Sequence, residues 1–96
     1  MQTVLSPTQA RKLLSKILLD PHGEVVFTRH AREEMLADDL SVADVYAVLR
    51  TGRIFESGEL LHGSFRYRVH SANCCAVVAF SGDRVTVVVT TWRKGP

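Results

Sequence analysis

The sequence predicts an α+β domain whose N-terminal helices pack on one face of a four- to five-stranded antiparallel sheet. Three observations predict it. The first half carries apolar residues at helical spacing behind good capping residues. From Arg53 onward the chain is short alternating or β-branched runs separated by turn signals. The order, helices first and a meander of strands after, is that of α+β domains with helices on one sheet face.

The first helix is expected over about 7–19. Ser6 caps it, Pro7 suits its first position and Gln9 completes a capping box. Ala10, Leu13, Leu14, Ile17 and Leu18 form one stripe, and Asp20-Pro21 stops the helix. "EVVFT", 24–28, reads as a short strand or extended lead-in. A second helix follows over about 29–37 with Thr28 as its cap. A third, over about 42–51, has Ser41 as cap, Asp44 at its third position and Gly52 past its end; Val42, Val45, Val48 and Leu49 give its stripe. Antiparallel strands fill about 53–93. "RIFESGELL" reads as a broken edge strand. "SFRYRVH" alternates, with Phe65, Tyr67 and Val69 facing the core and Arg66, Arg68 and His70 facing away. "CCAVVAF" is apolar on both faces, as a central strand is. "SGDR" turns into "VTVVVTTWR", where the odd positions Val85, Val87 and Val89 read as core.

Ninety-six residues, 46% hydrophobic and 23% charged, make one globular domain over 1–96. No apolar run approaches the roughly 18 residues of a membrane span, and the N-terminus has no secretory pattern. The expected location is the cytoplasm, with no membrane partner. Cys74 and Cys75 are neighbours, so in a strand they point to opposite faces and read as reduced buried thiols. The net charge of +2 permits an anionic partner without demanding one. Basic residues concentrate at 29–32, at 66–70 and at Arg93-Lys94.

The chemistry-bearing pattern is the Arg66, Arg68, His70 row. Alternate strand side chains stand about 6.6 Å apart, which lets two guanidiniums grip successive phosphates or clamp one. A histidine can give or take a proton near neutral pH. Cations beside an acid–base group are what metal-free RNA cleavage needs: a base for the ribose 2′-OH, positive charge for the phosphorane and an acid for the leaving oxygen. The same pattern also fits an ordinary solvated sheet face. His30, where a strand hands over to a helix, is the second candidate, with Glu34 one turn later to orient its ring. Thr90 can hydrogen-bond a phosphate oxygen, Trp92 can stack on a base, and Arg93 adds charge. No metal-ligand spacing and no glycine-rich phosphate loop is present, so neither a metal nor another cofactor is expected.

"FTRHAREEM" (27–35), "LSVADVYAVLRTGRI" (40–54), "YRVH" (67–70) and the closing "VVTTWR" resemble a family of small bacterial domains with an F-T-x-H-A-x-x-x-M signature. That family is similar to the RelE/MqsR/barnase-like ribonuclease superfamily of toxins. The resemblance implies helices against an antiparallel sheet, metal-independent endoribonuclease activity as the toxin of a type II toxin–antitoxin pair, an RNA substrate, and a cognate antitoxin, in some cases a zinc-finger protein of the MqsA type. It places His30 at the signature histidine, Arg68 and His70 at the middle-strand positions and Thr90 or Thr91 at the closing threonine. The alternative is a non-catalytic module of similar fold that binds protein or RNA. Convergence of His30 and His70 on one pocket with Arg68 would favour the enzyme.

Overall fold

The computed structural model describes residues 3–95. The expected domain limits therefore include Met1, Gln2 and Pro96, which lie outside the described residues. In chain order the elements are α1 (Pro7–Leu19), β1 (Glu24–Phe27), α2 (Arg29–Ala37), α3 (Val42–Thr51), β2 (Glu59–Leu61), β3 (Ser64–His70), β4 (Cys74–Ser81) and β5 (Val85–Arg93). The strands form one sheet in the order β1-β5-β4-β3-β2. The fold is α+β, with three helices and five strands. The sheet is mixed rather than wholly antiparallel, because β1 runs parallel to β5 at one edge.

The helices start where their caps direct. Ser6 accepts from the Gln9 amide while the Gln9 side chain returns to the Ser6 amide, a closed capping box. Ser41 and Asp44 do the same for α3. The Asp44 carboxyl is held below its usual range, first by the hydrogen bond from the Ser41 backbone. α1 buries Ala10, Leu14 and Ile17, α2 buries Ala31 and Met35, and α3 buries Val45, Val48 and Leu49. Val42 turns outward, half exposed, because it opens the helix one turn before its buried stripe begins. Ala10, Leu14, Ala31, Met35, Val45, Val48 and Leu49 join Tyr67, Val69, Ala76, Val78 and Val88 in one core between helices and sheet.

β5 departs from the expected parity. Thr86 and Val88 are fully buried against the helices, and Val85 and Val87 take the other face. The ladder with β4 then slips: Val77 pairs with Thr90, but Val78 pairs with Val88. Val89 is the extra residue of a β-bulge, so parity reverses beyond it. Thr91 becomes buried, and Thr90 and Trp92 turn to the face away from the helices.

Thr28 locks this bulge to α2. Its hydroxyl donates to the Val89 carbonyl at 2.7 Å and accepts from the Ala31 amide at 3.0 Å, while its own amide donates to the Val88 carbonyl at 3.0 Å. One side chain thus caps a helix and satisfies a carbonyl that the bulge withdraws from the ladder. Thr28→Val removes both bonds at constant shape. The expected loss is about 2–3 kcal/mol in urea unfolding, from a lost cap and an unsatisfied part-buried carbonyl. Thr28→Ser, which keeps the hydroxyl, should fall within about 1 kcal/mol of wild type. Equal stability of the Val and Ser variants would show that the hydroxyl is dispensable.

Candidate functional site

β3 presents two faces. Tyr67 and Val69 are buried among the helices, Phe65 packs beside them, and the Tyr67 hydroxyl accepts from the Leu5 amide at 2.9 Å. Arg66 and Arg68 therefore stand on the opposite face. Register extends that face across the sheet: Arg68, Val77 and Thr90 form one row, and His70, Cys75 and Trp92 the next. β2 continues it on the other side, where Glu59 lies opposite Arg66.

Glu56, Glu59, Arg66, Arg68, Thr90 and Trp92 line one concavity of about 360 Å³ with Val77 in its lining. This basin gathers the four expected residues Arg66, Arg68, Thr90 and Trp92. The two arginines make no ion pair or side-chain hydrogen bond among the described residues, and the Arg66 Nε is shut away from solvent without an acceptor. Their terminal nitrogens are the donors left for a ligand, in the fork geometry that suits a phosphate. A second hollow, of about 200 Å³, lies on the helix side among Leu5, Leu13, Phe65, Tyr67 and Phe80. It is apolar, and its one titratable group already serves Leu5.

His70 sits at the basin's wall rather than in it. An isolated bridge pairs it with Arg53, each amide donating to the other's carbonyl at 2.8 Å. That bridge carries the α3–β2 connection along the free edge of β3, so Phe55 and Glu56 fold in beside the imidazole. The Phe55 and His70 rings lie 5.6 Å apart and tilted by 42°. The His70 Nε2 is 3.6 Å from the Glu56 Oε2, close enough for charge attraction but long for a hydrogen bond, and it is buried with no other partner.

Three expected site residues lie elsewhere. His30 is on α2, in the helix layer, and largely exposed. The basin and the helices occupy opposite faces of the sheet, so His30 shares no pocket with Arg68 and His70, and the convergence of the two histidines expected of the enzyme is not met. Glu34 is near His30 at 3.9 Å, beyond hydrogen-bonding length, and does not fix the ring. Arg93 follows the reversed parity to the helix side. It donates from Nε to the Asp38 carbonyl at 3.2 Å and from a terminal nitrogen to the Asp39 carbonyl at 2.9 Å, and its amide donates to the Asp38 carboxylate. Its charge thus faces the C-terminal end of α2, where a cation is favoured. Thr91 is buried and donates to the Cys75 carbonyl at 2.8 Å, which leaves Thr90 as the basin threonine.

Glu56 is the residue the sequence did not single out. It lies in an irregular stretch between α3 and β2, and no local pattern marks it; only the bridge to His70 brings it to the basin. The cysteines point to opposite faces, Cys74 into the core and Cys75 beneath the row of His70 and Trp92. Burial pushes the Cys75 thiol up, which disfavours the nucleophilic thiolate. Among the described residues no group of three or more His, Cys, Asp or Glu side chains is placed to hold a metal ion. No helix among them is long and apolar enough to cross a membrane.

Residues 27–93, well over half of the chain, match the family described as the domain of unknown function DUF4258. The chain belongs to this family. The match begins at Phe27 and ends at Arg93, so it takes in the Thr28 joint, the bulge and every basin residue while leaving α1 outside. No curated protein and no solved structure gives a significant match to the chain.

Proposed function

We propose that the chain is a metal-independent endoribonuclease that acts in the sheet basin. The carrying observation is one concavity that joins two unpaired arginines, a threonine and a tryptophan to two carboxylates, Glu59 and Glu56, the latter with a histidine behind it. A surface built only to hold an anion has no use for Glu56, whose charge repels a phosphate. A base is where such a carboxylate is useful.

In this reading Arg66 and Arg68 hold the phosphate and neutralise the charge that grows on it in the phosphorane. Glu56 takes the proton from the ribose 2′-OH. The 2′ oxygen then bonds to phosphorus and the bond to the 5′ oxygen breaks, giving a 2′,3′-cyclic phosphate and a 5′-hydroxyl end. Base and acid of such an in-line displacement stand on opposite sides of the phosphorus. A Glu–His pair 3.6 Å apart therefore serves one of those roles, and His70 is assigned as a positioning residue for Glu56, a role that requires the contact to close to hydrogen-bonding length when substrate binds. The leaving oxygen takes its proton from water, to which the basin is open. Thr90 donates to a phosphate oxygen and Trp92 stacks on a base. His30, expected as the second proton-transfer group, has no part in it.

The resemblance to RelE/MqsR-like toxins supports a cytoplasmic toxin of a type II pair, with an antitoxin that offers carboxylates to Arg66 and Arg68 and covers the basin. Purified protein incubated with bulk RNA in EDTA tests the reading. Cutting to cyclic-phosphate ends is expected, abolished by Arg68→Ala and unchanged by His30→Ala. Intact RNA at high protein concentration sinks the enzyme. Intact RNA that is nevertheless bound through Arg66 and Arg68 would identify the non-catalytic RNA-binding module.

A further inference from the structure

Phe55 is placed against the grain of its chemistry. The residue is 63% exposed, while the preceding Ile54 is buried in the core. Leaving a phenylalanine in water forgoes the burial that normally fixes such a residue. The ring is nonetheless held in place: its backbone follows the Arg53–His70 bridge, and one side of it lies against the His70 imidazole. Cations surround it. Arg53 and Lys94 line one hollow beside the ring together with His70, and Arg53 and Lys12 line another on its α1 side. No ion pair occupies these three charges among the described residues. Lys94 spends one of its three N–H donors on the Ser71 carbonyl at 2.7 Å, which fixes its ammonium there. Arg11, by contrast, is spent on the Leu49 and Gly52 carbonyls and closes the end of α3.

An exposed aromatic ring among unpaired cations is the composition of a surface that binds single-stranded nucleic acid: bases stack on the ring and the cations follow the phosphates. The ledge adjoins the basin directly, because Glu56, the next residue, lines it. We infer that Phe55, with Arg53 and Lys94, forms a second nucleotide subsite, where the RNA strand leaving the basin stacks one base. This rests on the ribonuclease reading for the identity of the strand. Stacking is indifferent to base identity, so the subsite lengthens the footprint without adding sequence preference.

The test uses uncleavable 2′-O-methyl oligouridylates of two and eight nucleotides, with binding read by fluorescence anisotropy. Phe55→Ala should weaken the octamer roughly 5- to 150-fold and leave the dinucleotide, which fills only the basin, unchanged. Phe55→Trp should restore octamer binding. Arg53→Ala and Lys94→Ala should each lower the slope of log affinity against log salt by about 0.7. Octamer binding unaffected by Phe55→Ala overturns the subsite. Equal weakening of both oligomers also overturns it, because Phe55 would then act on the basin through His70, and the basin reading would stand. Wild-type protein that binds neither oligomer overturns both.

Discussion

Glu56→Gln is expected to lower RNA cleavage by about 10²- to 10⁴-fold while leaving RNA affinity equal or tighter. The amide keeps the size of the side chain but cannot accept the 2′-OH proton, and it removes the negative charge that opposes the phosphate. Arg68→Ala should behave differently. It removes a group that holds the ground state and stabilises the phosphorane, so it loses binding as well as rate. Arg68→Lys should recover binding in part and rate poorly, because an ammonium lacks the two-pronged geometry of a guanidinium. His70→Ala should reduce kcat with little change in KM, as expected of a residue that aims a base without touching substrate. A Glu56→Gln enzyme that cuts at the wild-type rate would remove Glu56 from the mechanism.

The second large effect is expected at a residue with no side chain of its own, Gly52. A Cβ there would lie 2.5 Å from the Val48 carbonyl oxygen, 2.7 Å from Val69 Cγ1 and 2.9 Å from the His70 carbonyl oxygen. Two of these are backbone atoms that have no rotamer to yield. Gly52→Ala should therefore cost about 2–3 kcal/mol, a fall in Tm of roughly 10–20 °C for a domain of this size. The damage should not be uniform. The carbonyl of His70 that the Cβ meets is the one that accepts from Arg53, so the bridge, Phe55 and Glu56 move together. Cleavage should fall even at temperatures where the variant remains folded. Gly95→Ala, with open space around the added carbon, is the control and should match wild type. Full activity and stability in Gly52→Ala would show that the α3–β2 connection can shift freely.

Much of the fold was legible because its signals are local. The capping boxes at Ser6 and Ser41 span only four residues each, and the alternation of β3 spans seven. The Arg66/Arg68 face, Thr90 and Trp92 followed from that alternation and from residue chemistry. What escaped depended on partners distant in sequence. The parallel pairing of β1 joins residues some sixty positions apart. The parity of β5 could not be read from a strand with valine at 85, 87, 88 and 89, because the slip that decides it lies in the ladder with β4. Arg93 looked free until the α2–α3 turn came to meet it. His30 drew attention as the most chemical residue of "FTRHA", yet in the fold Thr28 makes the connections and the histidine is largely exposed.

The bulge at Val89 has a further meaning for how this strand tolerates change in length. It acts as a reading-frame shift written in side-chain orientation. Upstream of it, even-numbered residues serve the core; downstream, even-numbered residues serve the basin. Deleting Val89 would remove the bulge and leave Thr90 and Trp92 facing the basin, whereas forcing Val89 into the ladder opposite Val77 would send Thr90 and Trp92 into the helix layer and turn Thr91 and Arg93 outward. The exclusion of one residue from the ladder therefore decides which half of "TTWR" the surface can use, and the strand should tolerate the loss of that residue better than its insertion into the pairing.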